Sequence, residues 1–86
     1  MSNRPTPAQD YAVHVVESNP GIVQSHLAAI VGPHESNMYG TRTILRAVDA
    51  GRLHRCVNPE RKGSWIYFTP DDTPEDAIVD NEVRAY

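Results

Sequence analysis

Tyr39-Gly40-Thr41-Arg42-Thr43-Ile44-Leu45-Arg46-Ala47-Val48-Asp49-Ala50-Gly51-Arg52-Leu53 is the stretch on which the reading of the fold turns. At about 100° per residue, a helix sorts such positions into faces from the sequence alone. With Ile44 as the inner reference, Asn37, Gly40, Thr41, Ala47, Val48 and Gly51 fall toward the interior and Leu45 lies at the edge. Glycine inside a helix costs about 1 kcal/mol relative to alanine. Gly40, one turn before Ile44, therefore reads as a place where two backbones approach closely. On the opposite side Tyr39, Arg42, Thr43 and Arg46 line up at i, i+3, i+4 and i+7, with Asp49 beside them. The spacing predicts a helix over 37–50 with a polar, basic outer face, ended by Gly51.

Upstream, Thr6-Pro7-Ala8-Gln9 is a helix start: Thr6 caps, Pro7 loses no needed donor, and Gln9 completes a capping box. The first helix runs to about Ser18 and places Ala8, Tyr11, Ala12, Val15 and Val16 on one stripe, with Gln9, Asp10 and Glu17 off it. Asn19-Pro20-Gly21 stops it, Ile22 and Val23 form a very short strand, and Gln24 to Val31 is a second helix packing Leu27, Ile30 and Val31. Gly32-Pro33 is expected to close that helix.

Downstream, Leu53 to Val57 reads as a strand that includes Arg55, Asn58 to Gly63 as a turn carrying Arg61 and Lys62, and Ser64 to Thr69 as a second strand. A hairpin covering helices has one dry face, assigned here to Ile66 and Phe68, with Trp65 and Tyr67 on the other. These aromatic residues read as packing groups of a half-buried hairpin rather than as stacking platforms for single-stranded bases. Pro70-Asp71-Asp72 ends the domain, and Thr73-Pro74-Glu75-Asp76 restarts a short acidic helix to about Val83. The expected class is α+β: a three-helix core with a C-terminal β-hairpin over residues 1–70, then an acidic tail or short helix over 71–86.

Eighty-six residues make one domain. The net charge of −3 is unevenly distributed. Residues 34–66 hold six cations against three carboxylates, a balance of +3, whereas residues 67–86 hold one cation against six carboxylates, a balance of −5. A polyanion would meet the basic centre, and the tail points elsewhere. Cys56 is the lone cysteine, so no intrachain disulfide forms, and a reducing, cytoplasmic setting is expected. Met1 to Pro7 is short and polar, unlike a signal peptide, and no run of about 20 apolar residues is present, so no membrane role is expected.

The order helix, brief strand, helix, helix, hairpin resembles the winged helix-turn-helix DNA-binding family, and Thr43 to Leu53 resembles its recognition helix running into the first wing strand. Tyr39 to Gly51 is also similar to the Tyr-Gly-x-x-x-x-x-Arg-Ala-x-x-Ala-Gly run of small helix-turn-helix proteins of actinobacteria and their phages. The connection Gly32-Pro33-His34-Glu35-Ser36 is longer than the tight turn of a strict helix-turn-helix. The resemblance implies sequence-specific binding of double-stranded DNA. In that reading Arg42 or Arg46 donates to guanine, Thr43 contacts a base or a thymine methyl, and Tyr39 shares their face. Ser36 and Asn37, at the start of the third helix, cap it or hold a phosphate. Arg61 and Lys62 at the wing tip, with Arg55 on the first wing strand, complete the expected contacts.

The implied action is occupancy, as a transcriptional regulator or a phage accessory factor, with a homodimer or an array on DNA supplying affinity. Two other readings stay open: a winged helix that meets a partner protein through the same outer face, and an acidic DNA mimic that blocks a host factor through residues 71–82. Catalysis is not expected, because no nucleophile elbow, phosphate-binding glycine loop or two-histidine helix motif occurs. His14, His26, His34 and His54 lack zinc-ligand spacing, so no metal, cofactor or small-molecule ligand is expected.

Overall fold

The computed structural model describes residues 6–34 and 40–80. Three helices, α1 (Pro7–Ser18), α2 (Gln24–His34) and α3 (Gly40–Asp49), pack on a three-stranded antiparallel sheet of β1 (Ile22–Val23), β2 (His54–Val57) and β3 (Trp65–Phe68). This small α+β arrangement is compatible with a winged-helix-like layout. No described helix is long and apolar enough to cross a membrane.

Thr6 caps α1 as the sequence requires, its Oγ1 accepting from the Gln9 N–H at 3.1 Å with Pro7 in the first turn. Ala12, Val15 and Val16 enter the core, and Tyr11 packs against it. Gln9, expected off the stripe, is only 2% exposed, because α1 is covered over a wider arc than its apolar residues mark. At the far end the Asn19 side chain donates to the Val15 carbonyl at 2.9 Å and closes the helix.

Gly32 and Pro33 do not close α2, which continues to His34. The reason lies in α3. An ideal Cβ on Gly40 would stand 2.8 Å from the Ala28 carbonyl oxygen and 2.8 Å from the Gly32 nitrogen. Gly32 is thus a backbone-to-backbone contact with α3 rather than a stop, and Pro33 removes one N–H bond without ending the helix. Helix α3 buries Gly40, Thr43, Ile44, Ala47 and Val48. Its end follows the sequence: Gly51 takes φ +78°, its N–H donates to the Val48 carbonyl, and the Arg52 N–H donates to the Ala47 carbonyl. Those two bonds are the Schellman closure that a left-handed residue permits.

The sheet order is β1-β3-β2, with Ile22 opposite Tyr67, Arg55 opposite Tyr67, and Cys56 opposite Ile66. Directly paired residues share a face, so Ile22, Arg55, Trp65 and Tyr67 point toward the helices. Tyr67 is fully buried, and Trp65 packs against the same core. This reverses the expected orientation, in which Ile66 and Phe68 faced inward. Polarity misled the assignment because the Tyr67 hydroxyl has a buried-side partner, donating to Gln24 Oε1 at 2.7 Å. An aromatic ring with a satisfied hydroxyl fills more core than isoleucine does.

On the opposite face Ile66 and Phe68 stay half-buried and border a cavity with Pro74, Ala77 and Ile78 of the tail. Residues 73–80 do not form the expected acidic helix. After a 3₁₀ turn at Pro70–Asp72, the chain runs back along β2. There the Val57 N–H donates to the Ile78 carbonyl at 2.9 Å, the Asp80 N–H donates to the Arg55 carbonyl at 2.6 Å, and Cys56 bridges Val79. A helix this short is marginal alone, while the edge of β2 offers unpaired donors and acceptors. The tail therefore completes the folded unit through residue 80 instead of trailing from it, leaving Cys56 with no exposed surface.

Candidate nucleic-acid interface

Helix α3 projects Arg42 and Arg46 from one face, a turn apart, and both are exposed, as is Asp49. Thr43 does not join them. It is 7% exposed and forms part of the buried stripe 40, 43, 44, 47, 48. Helix α3 packs on both α1 and α2, which rotates the centre of its buried stripe from Ile44 toward Thr43. A base contact by Thr43 is thereby withdrawn. Ser36, Asn37 and Tyr39 lie outside the described residues.

Arg55 is also withdrawn from the expected outer surface. Its side chain is 16% exposed, with Nη2 at 3.3 Å from Asp80 Oδ2 and Nε donating to the Asp80 carbonyl at 3.4 Å. The guanidinium lies 4.2 Å from the centre of the Trp65 ring. The register places Arg55 beside Tyr67 on the helix side of the sheet, and the returning tail supplies its carboxylate. Burial pushes the Tyr67 hydroxyl up to about 12, although the Arg55 charge and hydrogen bond oppose this. Burial likewise pushes the Cys56 thiol up. Arg52, another cation of the basic centre, is tied to α1 by a 2.6 Å ion pair with Asp10.

Arg61 and Lys62 stand exposed at the hairpin tip. The turn beneath them is organised by Asn58, whose Oδ1 accepts from the Glu60 N–H at 2.9 Å and whose Nδ2 donates to Ser64 Oγ at 3.3 Å. Between this tip and the start of α2 lies a cleft of about 370 Å³, bordered by Arg61, Lys62, Ser64, Trp65, Gln24 and Ser25. Gln24 and Ser25 escaped the sequence reading because nothing local marks them. They reach the hairpin only because β1, immediately before them, pairs with β3.

Of the six central cations, Arg42, Arg46, Arg61 and Lys62 are exposed, and Arg52 and Arg55 are less so, with ion pairs to Asp10 and Asp80. Among the described residues, no group of three histidine, cysteine, aspartate or glutamate side chains is placed to hold a metal ion. A scan against protein-family models, a search of curated proteins and a search of solved structures each find no match to this chain.

Proposed function

We propose that the chain is a winged-helix protein that binds double-stranded DNA, presenting Arg42 and Arg46 of α3 to the major groove and the Arg61–Lys62 tip to the backbone. The observation that carries this reading is the exposure of four cations on α3 and the hairpin tip. Arg42, Arg46, Arg61 and Lys62 are exposed on α3 and the hairpin, while the described tail beyond Asp76 is laid against the edge of β2, with Asp80 spent on Arg55. An exposed arginine pair at i and i+4 matches the spacing with which a helix reads base edges, and tip cations position the domain through phosphates. The action is occupancy, altering access to the bound DNA without a catalytic group.

The test is a salt titration of binding to a duplex selected from a random-sequence library. Affinity should fall linearly on a log–log plot by about 0.9 per phosphate contact. Arg42→Ala and Arg46→Ala should each weaken binding about tenfold, the cost of one lost bidentate base contact. Binding that ignores salt and survives both substitutions overturns the reading and favours a protein partner on the same face.

A further inference from the structure

The cleft between the hairpin tip and α2 is lined mainly by groups that donate hydrogen bonds. Arg61, Lys62 and the Trp65 indole can only donate. Gln24 can do both, but its Oε1 already accepts from the Tyr67 hydroxyl at 2.7 Å. Tyr67 is fully buried, and burial keeps its phenol protonated up to about 12, so it remains a donor to Gln24 across the ordinary pH range. The amide of Gln24 is thereby fixed with its oxygen toward the core and its NH₂ as the end left to serve the cleft. Ser64 Oγ accepts from Asn58 Nδ2 at 3.3 Å, and its own hydroxyl hydrogen is free to donate into the cleft. Ser25 adds a second, exposed hydroxyl, and among the described residues no carboxylate borders the cleft.

We propose that this cleft is a phosphate subsite, in which Arg61 and Lys62 supply charge while Gln24, Ser25 and Ser64 supply directed donors. The inference rests on the duplex reading for its natural ligand, one backbone phosphate of bound DNA, but its chemistry is that of any phosphate group. Many donors around a small volume suit an anion with several oxygens, because each oxygen accepts more than one hydrogen bond. The first-turn N–H groups of α2, left without helical partners, face the same end of the helix and reinforce that preference. The lone tryptophan of the chain, Trp65, borders the cleft and reports its occupancy.

The experiment follows Trp65 emission of the full chain against inorganic phosphate and, separately, against potassium chloride of equal ionic strength, with duplex binding measured in parallel. Gln24→Glu is the informative variant: a carboxylate oxygen still accepts from Tyr67, while the donor is lost. Ala29→Glu, at an exposed position on α2 that does not border the cleft, controls for charge alone. A thermal melt confirms that both variants fold.

We expect a saturable emission change with phosphate and none with chloride, weakened about tenfold or more in Gln24→Glu and little changed in Ala29→Glu. If DNA supplies the phosphate, Gln24→Glu also weakens duplex binding and reduces the salt slope by about one. If phosphate saturates while no duplex binds, the subsite holds free phosphate and the duplex reading falls. Phosphate indistinguishable from chloride, or equal losses in Gln24→Glu and Ala29→Glu, overturns the subsite. In that case duplex binding that still depends on Arg42 and Arg46 leaves the reading of α3 standing.

Discussion

Arg46 on α3 is exposed, whereas Arg55, in the same basic run of sequence, keeps 16% of its side-chain surface and lies between Asp80 and the Trp65 ring. Local sequence does not separate the two, since each sits in a short element among apolar neighbours. What separates them is distant chain. Arg46 belongs to a helix whose buried side is filled by α1 and α2, so its own side meets water. Arg55 faces Tyr67, and a tail folded along β2 delivers a carboxylate to it. A count of cations in sequence thus overstates a binding surface by whatever number the fold buries.

The largest effect should come from unseating the exposed member of this comparison. A Cβ at Gly40 would already stand 2.8 Å from backbone atoms of Ala28 and Gly32, and backbone cannot rotate aside as a side chain can. Gly40→Val should therefore destabilise the protein by about 3 kcal/mol, read as a lower midpoint in denaturant unfolding. Because α3 carries Ile44, Ala47 and Val48 of the common core, the Arg55 side should unfold in the same transition. A wild-type midpoint in Gly40→Val would mean that α2 and α3 do not approach as described, and that the outward aim of Arg46 has lost its support.

A somewhat smaller effect probes the sequestered member. Tyr67 has an ordinary value of 10.0 for its hydroxyl, pushed up to about 12 in the fold chiefly by burial. The folded state therefore favours the protonated phenol. Its contribution is complete below about pH 10 and is lost as pH rises through about 12, a decline of roughly 2–3 kcal/mol. Unfolding free energies measured across that window should show the decline in the native chain and lose most of it in Tyr67→Phe. Removing the nearby cation with Arg55→Met should push the Tyr67 titration still higher, visible in phenolate absorbance. No movement there would separate Arg55 from Tyr67 and undo the account of why that arginine is hidden.

The two members also differ in how much of them could be read in advance. The cap at Thr6, the helix around Ile44 and its closure at Gly51 depend on neighbours in sequence, and each stands as expected. The errors all involve remote partners. Gly32 looked like a stop until Gly40 came against it, Thr43 looked outward until two helices flanked α3, and Tyr67 looked like the wet face until Gln24 met its hydroxyl. The acidic tail misled for the same reason, because its backbone bonds are to Arg55 and Val57, more than twenty residues earlier. Periodicity assigns a stripe, but only the neighbouring elements decide how wide that stripe is buried.

The smallest effect is also the finest test of what hides Arg55. Its pair with Asp80 spans 3.3 Å, with 35% of the Asp80 side chain still exposed; partly solvated pairs of this kind contribute about 0.5 kcal/mol. Asp80→Asn keeps the backbone bond to Arg55 and the bridge between Cys56 and Val79, so the tail should open only slightly more often. Cys56, fully covered and with its thiol pushed up by burial, reports that opening, and its reaction with a thiol reagent should quicken about twofold. Duplex affinity should not rise, because the register and the Trp65 ring hold Arg55 even without the charge. A clear gain in affinity would show that Asp80 alone had been keeping a binding cation out of use, and the distinction between Arg46 and Arg55 would reduce to one carboxylate.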